Sequence, residues 1–289
     1  LSLHDALPIS GWGYDDVLPH FRRSEDNRHA GIDTHHHGTG GELAVSDLRD
    51  PNPVDRDFID AAGQLQFRTC PDFNVAEPEG MGIYQVTQKD GKRHSTGRAF
   101  LTAAVKARPN LHILTGAEVL GLTLTDKRAT GVTLRRAGRV ETVGTRGEVI
   151  LSAGAIGSPD ILLRSGIGPA AGVAALGEAV HDLPGVGQNL QDHVLLSGVV
   201  FKYKGKMPDR PVDSNAVEAE AYLSSSPSSD IDISLVLHQL PVVTPEVASR
   251  CGTPPPDAFT IAPALVQPDP VPRPRWLRGT HLTKQKHRG

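Results

Sequence analysis

Gly147-Glu-Val-Ile-Leu-Ser-Ala-Gly154-Ala-Ile-Gly-Ser-Pro-Asp-Ile-Leu-Leu-Arg-Ser-Gly-Ile-Gly168 is the stretch on which the fold turns. Residues 147–154 form an apolar run ending in small residues, the composition of a strand buried on both faces of a parallel sheet. Ser158-Pro159 supplies an N-cap and a first-turn proline. Ile161, Leu162 and Leu163 then continue as a helix predicted to end at Gly166. Strand, tight Gly/Ala turn and helix make the half-unit of a nucleotide-binding α/β fold. Small residues at such a turn let a ligand approach the backbone, and N–H groups at the helix start favour a phosphate or ribose oxygen. The same turn also serves simply to pack a helix closely on a sheet, so the string alone leaves binding and packing open.

Upstream of it, Leu111–Thr115 reads as a short strand, and Ala117–Thr125 as a longer one whose apolar positions change parity as a bulge at Gly121 would make them. Thr130–Arg136 and Arg139–Val143 flank Ala137-Gly138 as a hairpin. Earlier still, Val17, Leu18 and Phe21 share one face of a helix over Tyr14–Asn27, followed by a His- and Gly-rich loop from His29 to Gly41 and a short strand, Glu42–Asp47. Pro53 opens an amphipathic helix with Val54, Phe58, Ala61, Ala62 and Leu65 on one side. A second helix is predicted from Thr96 to Ala107, capped by Ser95 and stopped by Pro109. After Val194 the text becomes strand-like, at Val194–Tyr203, Ile231–Leu240 and Ala258–Val266, which predicts an antiparallel sheet. The first ten residues show no period. Val271–Gly289 carries six Lys/Arg and no acid, and is expected to be disordered.

At about 150 residues per domain, 289 residues predict roughly two domains. With Gly added, the apolar content is ordinary for a globular chain. A net charge of −3 gives no global attraction to nucleic acid or anionic membrane, and 4% aromatics is too few for extensive stacking on bases. No apolar stretch reaches the length of a membrane span, and no leader is visible. Cys70 and Cys251 fit neither a disulfide framework nor a zinc spacing, which points to a reducing compartment. The cytoplasm is the expected location, with a peripheral place on the inner membrane as the alternative. A chain that begins with Leu1 is expected to be processed or a fragment.

The string from Gly154 to Gly168 resembles the second family motif of the glucose-methanol-choline (GMC) oxidoreductases. Four further stretches are similar to that family in the same order: residues 11–26, His37-Gly-Thr-Gly-Gly-Glu-Leu43, Arg93-His-Ser-Thr-Gly-Arg-Ala-Phe-Leu101, and Leu183-Pro-Gly-Val-Gly-Gln-Asn-Leu-Gln-Asp-His193. The bacterial choline and alcohol dehydrogenases are the nearest in character. The resemblance implies an α/β (α+β) fold: part of an FAD-binding Rossmann-like domain with an accessory β-meander over 11–194, then the start of a substrate sheet over 195–267. Residues 1–10 and 268–289 stand outside it.

The resemblance further implies FAD as cofactor. Val119, in Gly116-Ala-Glu-Val119, would touch adenine through its main chain, and Ala153 and Gly154 would approach the adenosine and ribose. It implies oxidation of a small primary alcohol, choline-like or aliphatic, to the aldehyde, by hydride transfer to the flavin with a C-terminal His as base. No residue of this chain occupies that His position, and no Gly-x-Gly-x-x-Gly seats the pyrophosphate. The chain is therefore expected to lack turnover and to bind FAD weakly or not at all. The residues do not specify the electron acceptor, nor oxidase against dehydrogenase. An alternative is a non-catalytic flavin-fold remnant acting as a binding protein.

Other chemistries find little support. His35-His36-His37 lacks metal-site spacing and reads as a solvated loop. His94, His112, His181, His193 and His238 could each act as a base on chemistry alone; His193 reads as structural, hydrogen-bonded at the domain junction. Asp15-Asp16 and Asp230/Asp232 read as a helix start and a strand edge, and no Gly-x-Ser-x-Gly elbow is present.

Overall fold

The computed structural model describes residues 10–210, 214–226 and 230–266. The expectations for residues 1–9 and for the basic tail lie outside them. Residues 10–111 and 193–266 gather into one compact unit, and 112–192 into another.

In the first unit, α1 (Tyr14–Ser24) carries Asp15 and Asp16 in its first turn and Arg22 and Arg23 in its last, matching its dipole at both ends. Strand β1 (Glu25–Asn27) follows and pairs in parallel with β2 (Leu43–Asp47). The Asn52 side chain caps α2 (Pro53–Gln64), accepting from Val54 N at 3.0 Å, with Pro53 at the first helical position as predicted. Four short strands come next: β3 (Gly80–Ile83), β4 (Gln85–Val86), β5 (Gln88–Lys89) and β6 (Lys92–Arg93). The single helix predicted over 96–107 is two, α3 (Thr96–Phe100) and α4 (Ala103–Lys106). Thr102 breaks it: its backbone is extended and its hydroxyl accepts from Val105 N at 3.3 Å, starting a new helix rather than continuing the old.

In the second unit β7 (Ala117–Thr125), β8 (Arg128–Arg136) and β9 (Arg139–Gly144) form an antiparallel meander. Ala137 and Gly138, both at positive φ, make its tight turn. The register of β7 slips between Val119 and Gly121, so the expected bulge is present. Then come α5 (Gly154–Arg164), β10 (Ile167–Gly168) with its parallel partner β11 (His181–Asp182), and α6 (Ala170–Ala174) between them. The buried parallel strand read at 147–154 does not form: residues 147–152 join no ladder, and Ile150 is 82% exposed. The strand read at 111–115 is likewise unpaired, with Ile113 and Leu114 exposed. Strand-forming residues need partner strands to take their N–H and C=O groups. Among the described residues of this unit, the ladders are confined to β7–β9 and β10–β11.

Back in the first unit, β12 (Val194–Leu195) and β13 (Val200–Lys202) replace the one strand read over 194–203, and both pair with β16 (Ala258–Leu265). With β14 (Val217–Leu223) and β15 (Ile233–His238) they complete a six-stranded sheet, ordered β12-β16-β15-β14-β3, whose pairings are all antiparallel. Helix α7 (Pro245–Cys251) lies between β15 and β16 in the chain. The core sits between α2 and this sheet: Val54, Phe58, Ile59 and Ala62 meet Met81, Ala219, Ala221 and Leu237. Each large side chain buried there stabilises by about 1.5–3 kcal/mol.

Candidate functional site

The two ends of α5 do different work. At its C-terminal end the helix is fastened to the bulge of β7. A bulge leaves backbone groups that the neighbouring strand cannot serve, and α5 serves them: Arg164 Nη1 donates to Leu120 O at 2.9 Å, and Ser165 Oγ accepts from Leu122 N at 2.8 Å. Ser165, buried, passes its own proton to Ile161 O at 2.6 Å, and Asp160 pairs with Arg164 at 2.7 Å. Gly121 fits this contact closely, since a Cβ there would meet Ser165 Oγ at 3.2 Å.

At the N-terminal end the helix begins at Gly154, earlier than the Ser158-Pro159 cap predicted. Ser158 Oγ instead accepts from Ala153 N at 2.9 Å, folding the first turn back on the strand-to-helix junction. Pro159 falls inside the helix and cannot supply the N–H that the Ala155 carbonyl would otherwise receive. Gly154 has φ +80, and no heavy atom lies within 4 Å of where its Cβ would stand. The space in front of this turn is open, with Ala153, Gly154 and Ala155 all exposed.

Val119 sits in β7 opposite Leu134, one residue from the carbonyl that Arg164 holds. Ala153 and Gly154 adjoin at the start of α5, and Val119 lies in β7, the strand to which α5 is fastened.

His37 departs from the solvated-loop reading. It is 4% exposed, with Nδ1 2.9 Å from Glu25 Oε1 and Nε2 2.9 Å from Asp72 Oδ2 as an ion pair. Burial lowers its basicity, but the hydrogen bond and charge of Glu25, with the charge of Asp72, outweigh that and leave the pKa raised. Its partners lie 12 and 35 residues away, which local spacing cannot reveal. Of the histidines weighed as bases, His94 Nδ1 accepts from Ala44 N, His193 Nδ1 donates to Leu265 O at 3.3 Å, and burial lowers the pKa of His238. His112 and His181 are exposed. No group of described residues could hold a metal ion, and no described helix is long and apolar enough to cross a membrane.

One face of the six-stranded sheet packs on α2; Glu220 and Tyr222 alternate onto the other. Tyr84 donates its hydroxyl proton to the Glu220 carboxylate, and the Phe73 ring packs edgewise on both Tyr84 and Tyr222. Burial raises Glu220, and together with the Glu220 charge pushes Tyr222 up to about 12. This strand has no signature in the sequence, because a run alternating Glu and Ala has the composition of a helix.

The family model described as GMC oxidoreductase matches residues 4–195. The chain belongs to the GMC oxidoreductase family. This GMC chain is 39% identical over 259 residues to an alcohol dehydrogenase (acceptor) of Pseudomonas putida, covering 80% of itself and 46% of that protein. It is 42% identical over 201 residues to the oxygen-dependent choline dehydrogenase of Photobacterium profundum, covering 68% of itself and 34% of that protein. Among solved structures it resembles pyridoxine 4-oxidase from Mesorbium loti, with a TM-score of 0.80 at 30% identity over 89% of this chain and 50% of that one. A formate oxidase matches in fold alone, with a TM-score of 0.72 at 21% identity over 90% of this chain and 54% of that one. The GMC chain thus spans about half, or less, of the curated relatives it matches.

Proposed function

We propose that this chain is the central part of an FAD-dependent oxidoreductase that acts on CH–OH groups and converts a primary alcohol, choline-like or aliphatic, to the aldehyde. The observation that carries the reading is the family match through the Gly154 turn and the open space in front of it. Identities of 39% and 42% to alcohol and choline dehydrogenases support that substrate class. Residues 11–194 are assigned to the cofactor module and 195–267 to the start of the substrate sheet.

The residues present fit one end of the cofactor. Gly154, lacking a side chain, lets an adenosine approach the backbone, Ala153 lines the same turn, and Val119 offers its main chain from β7. FAD, when bound, supplies a two-electron acceptor for hydride. What these residues do is hold and orient: the Arg164 and Ser165 bonds fix α5 against β7, so the spacing of the two contact regions does not drift. No Gly-x-Gly-x-x-Gly turn is present in the sequence to hold a pyrophosphate.

The purified chain is expected to show weak adenine-nucleotide binding by calorimetry, removed by Gly154→Val, with no stoichiometric flavin absorption band. A full flavin band together with alcohol-dependent dye reduction would overturn the expectation of inactivity. Nucleotide binding indifferent to Gly154→Val would remove the adenosine assignment.

A further inference from the structure

Under the first turn of α2 a polar cluster is sealed from solvent. Asn52, Asp55, Glu218 and Gln239 are each no more than 3% exposed. Glu218 is doubly served: Oε2 accepts from Asn52 N at 2.9 Å and Oε1 from Asn215 N at 3.0 Å. Asp55 is served once, at Oδ2, by Gln239 Nε2 at 2.5 Å. The backbone N–H groups of Glu218 and Ala219 lie near its carboxyl, but Oδ1 has no aligned hydrogen-bond partner. Gln239 Oε1 in turn accepts from Ser214 Oγ at 2.6 Å and Asn52 Nδ2 at 3.3 Å. These bonds join α2 to β14 and to the end of β15, 166 to 187 residues away in the chain.

Among the described residues no Lys or Arg forms an ion pair with either acid. Two buried like charges without a cation are not tolerated together, so one acid keeps its proton. The orphaned oxygen decides which: both Glu218 oxygens accept from backbone N–H groups, whereas Asp55 Oδ1 is buried with no aligned partner, which makes Asp55 the better place for the proton. We propose that Asp55 is the neutral member of the pair, and that the cluster is a latch which fastens α2 to the sheet while that proton is in place and releases it when the proton is lost.

The groups facing Asp55 agree. Burial raises its pKa, and the Glu218 charge adds to that against the opposing Gln239 bond, to about 7. Tyr203, after β13, feels the charges of Asp57 and Asp55 and is itself raised, first by burial. His238, one residue before Gln239, has its pKa lowered by burial and adds no compensating charge. Since the folded value lies above the ordinary 3.8, the contribution is fully present below that pH and is lost as pH rises through about 7. Release would uncover Val54 and Phe58 from Ala219 and Leu237. The inference is independent of flavin binding.

The test is amide hydrogen exchange of the full chain from pH 4.5 to 8.5, after correction for intrinsic rates. α2 amides are expected to lose about tenfold in protection per pH unit as pH rises toward about 7 and to level off above it, while amides of β7–β9 do not. In Asp55→Asn, an isostere of the neutral acid, the α2 response is expected to be flat. His37 titrates elsewhere in the same unit, so the difference between wild type and D55N is the reading that counts. Should D55N fail to fold, the wild-type α2 slope between pH 4.5 and 6, below the range in which His37 titrates, decides. Protection in α2 that is constant from pH 4.5 to 7, or an unchanged slope in D55N, overturns the proposal.

Discussion

The hydroxyl of Ser165 accepts from the Leu122 backbone N–H at 2.8 Å while donating to Ile161 O at 2.6 Å. One buried oxygen thereby closes the bulge of β7 and the last turn of α5 together. Ser165→Ala leaves the Leu122 N–H buried without an acceptor, a cost of about 1–3 kcal/mol. Urea unfolding followed by a probe in the second unit measures it. A midpoint unchanged from wild type would mean that α5 is held to the meander by Arg164 alone.

Gly154 and Gly166 have almost the same φ, +80 and +81, but different surroundings. A Cβ at 154 meets nothing within 4 Å; one at 166 meets Glu178 O at 2.6 Å. Gly154→Ala therefore costs only the strained backbone, about 1–2 kcal/mol, whereas Gly166→Ala adds a clash with backbone and costs distinctly more. Thermal unfolding of the two variants side by side checks the order. Equal losses would show that the chain around Glu178 moves aside freely.

How far the sequence could be read depended on the distance between partners. The Ala137-Gly138 turn, the slip at Gly121 and the helix start at Pro53 are decided by neighbours within a few positions, and all three are legible there. Residues 147–152 have the composition of a buried strand, yet composition cannot supply a paired neighbour. Thr102 reads as one more helical residue, whereas its hydroxyl caps a new helix. His37 lost its solvated character to Glu25 and Asp72, and the Asp55–Gln239 bond spans 184 residues. The three expected cofactor residues came from family resemblance; the open space at Gly154 is what the structure adds.

His37 gives a pH prediction with a definite sign. Its folded pKa is raised above 6.5, so its ion pairs contribute fully below that value and are lost as pH rises through the folded pKa. His37→Gln is expected to be less stable than wild type at pH 6 and to converge on it under alkaline conditions. Urea midpoints from pH 5.5 to 9 carry the comparison. A gap that stays constant across that range would mean His37 acts through packing and not through its charge.

Leu237 and Ile150 are both large aliphatic residues from stretches that read as strand, and they should respond oppositely to truncation. Leu237 is fully buried between β14 and α2, so Leu237→Ala removes packing from a core that can collapse only partly, at about 2–5 kcal/mol. Ile150 is 82% exposed and pairs with no strand, so Ile150→Ser should change stability by no more than about 0.5 kcal/mol and improve solubility. Chemical unfolding of the two variants is decisive for the 147–152 stretch. A loss at Ile150 comparable to that at Leu237 would mean that this stretch is buried in solution, and that the parallel strand expected from its composition does form.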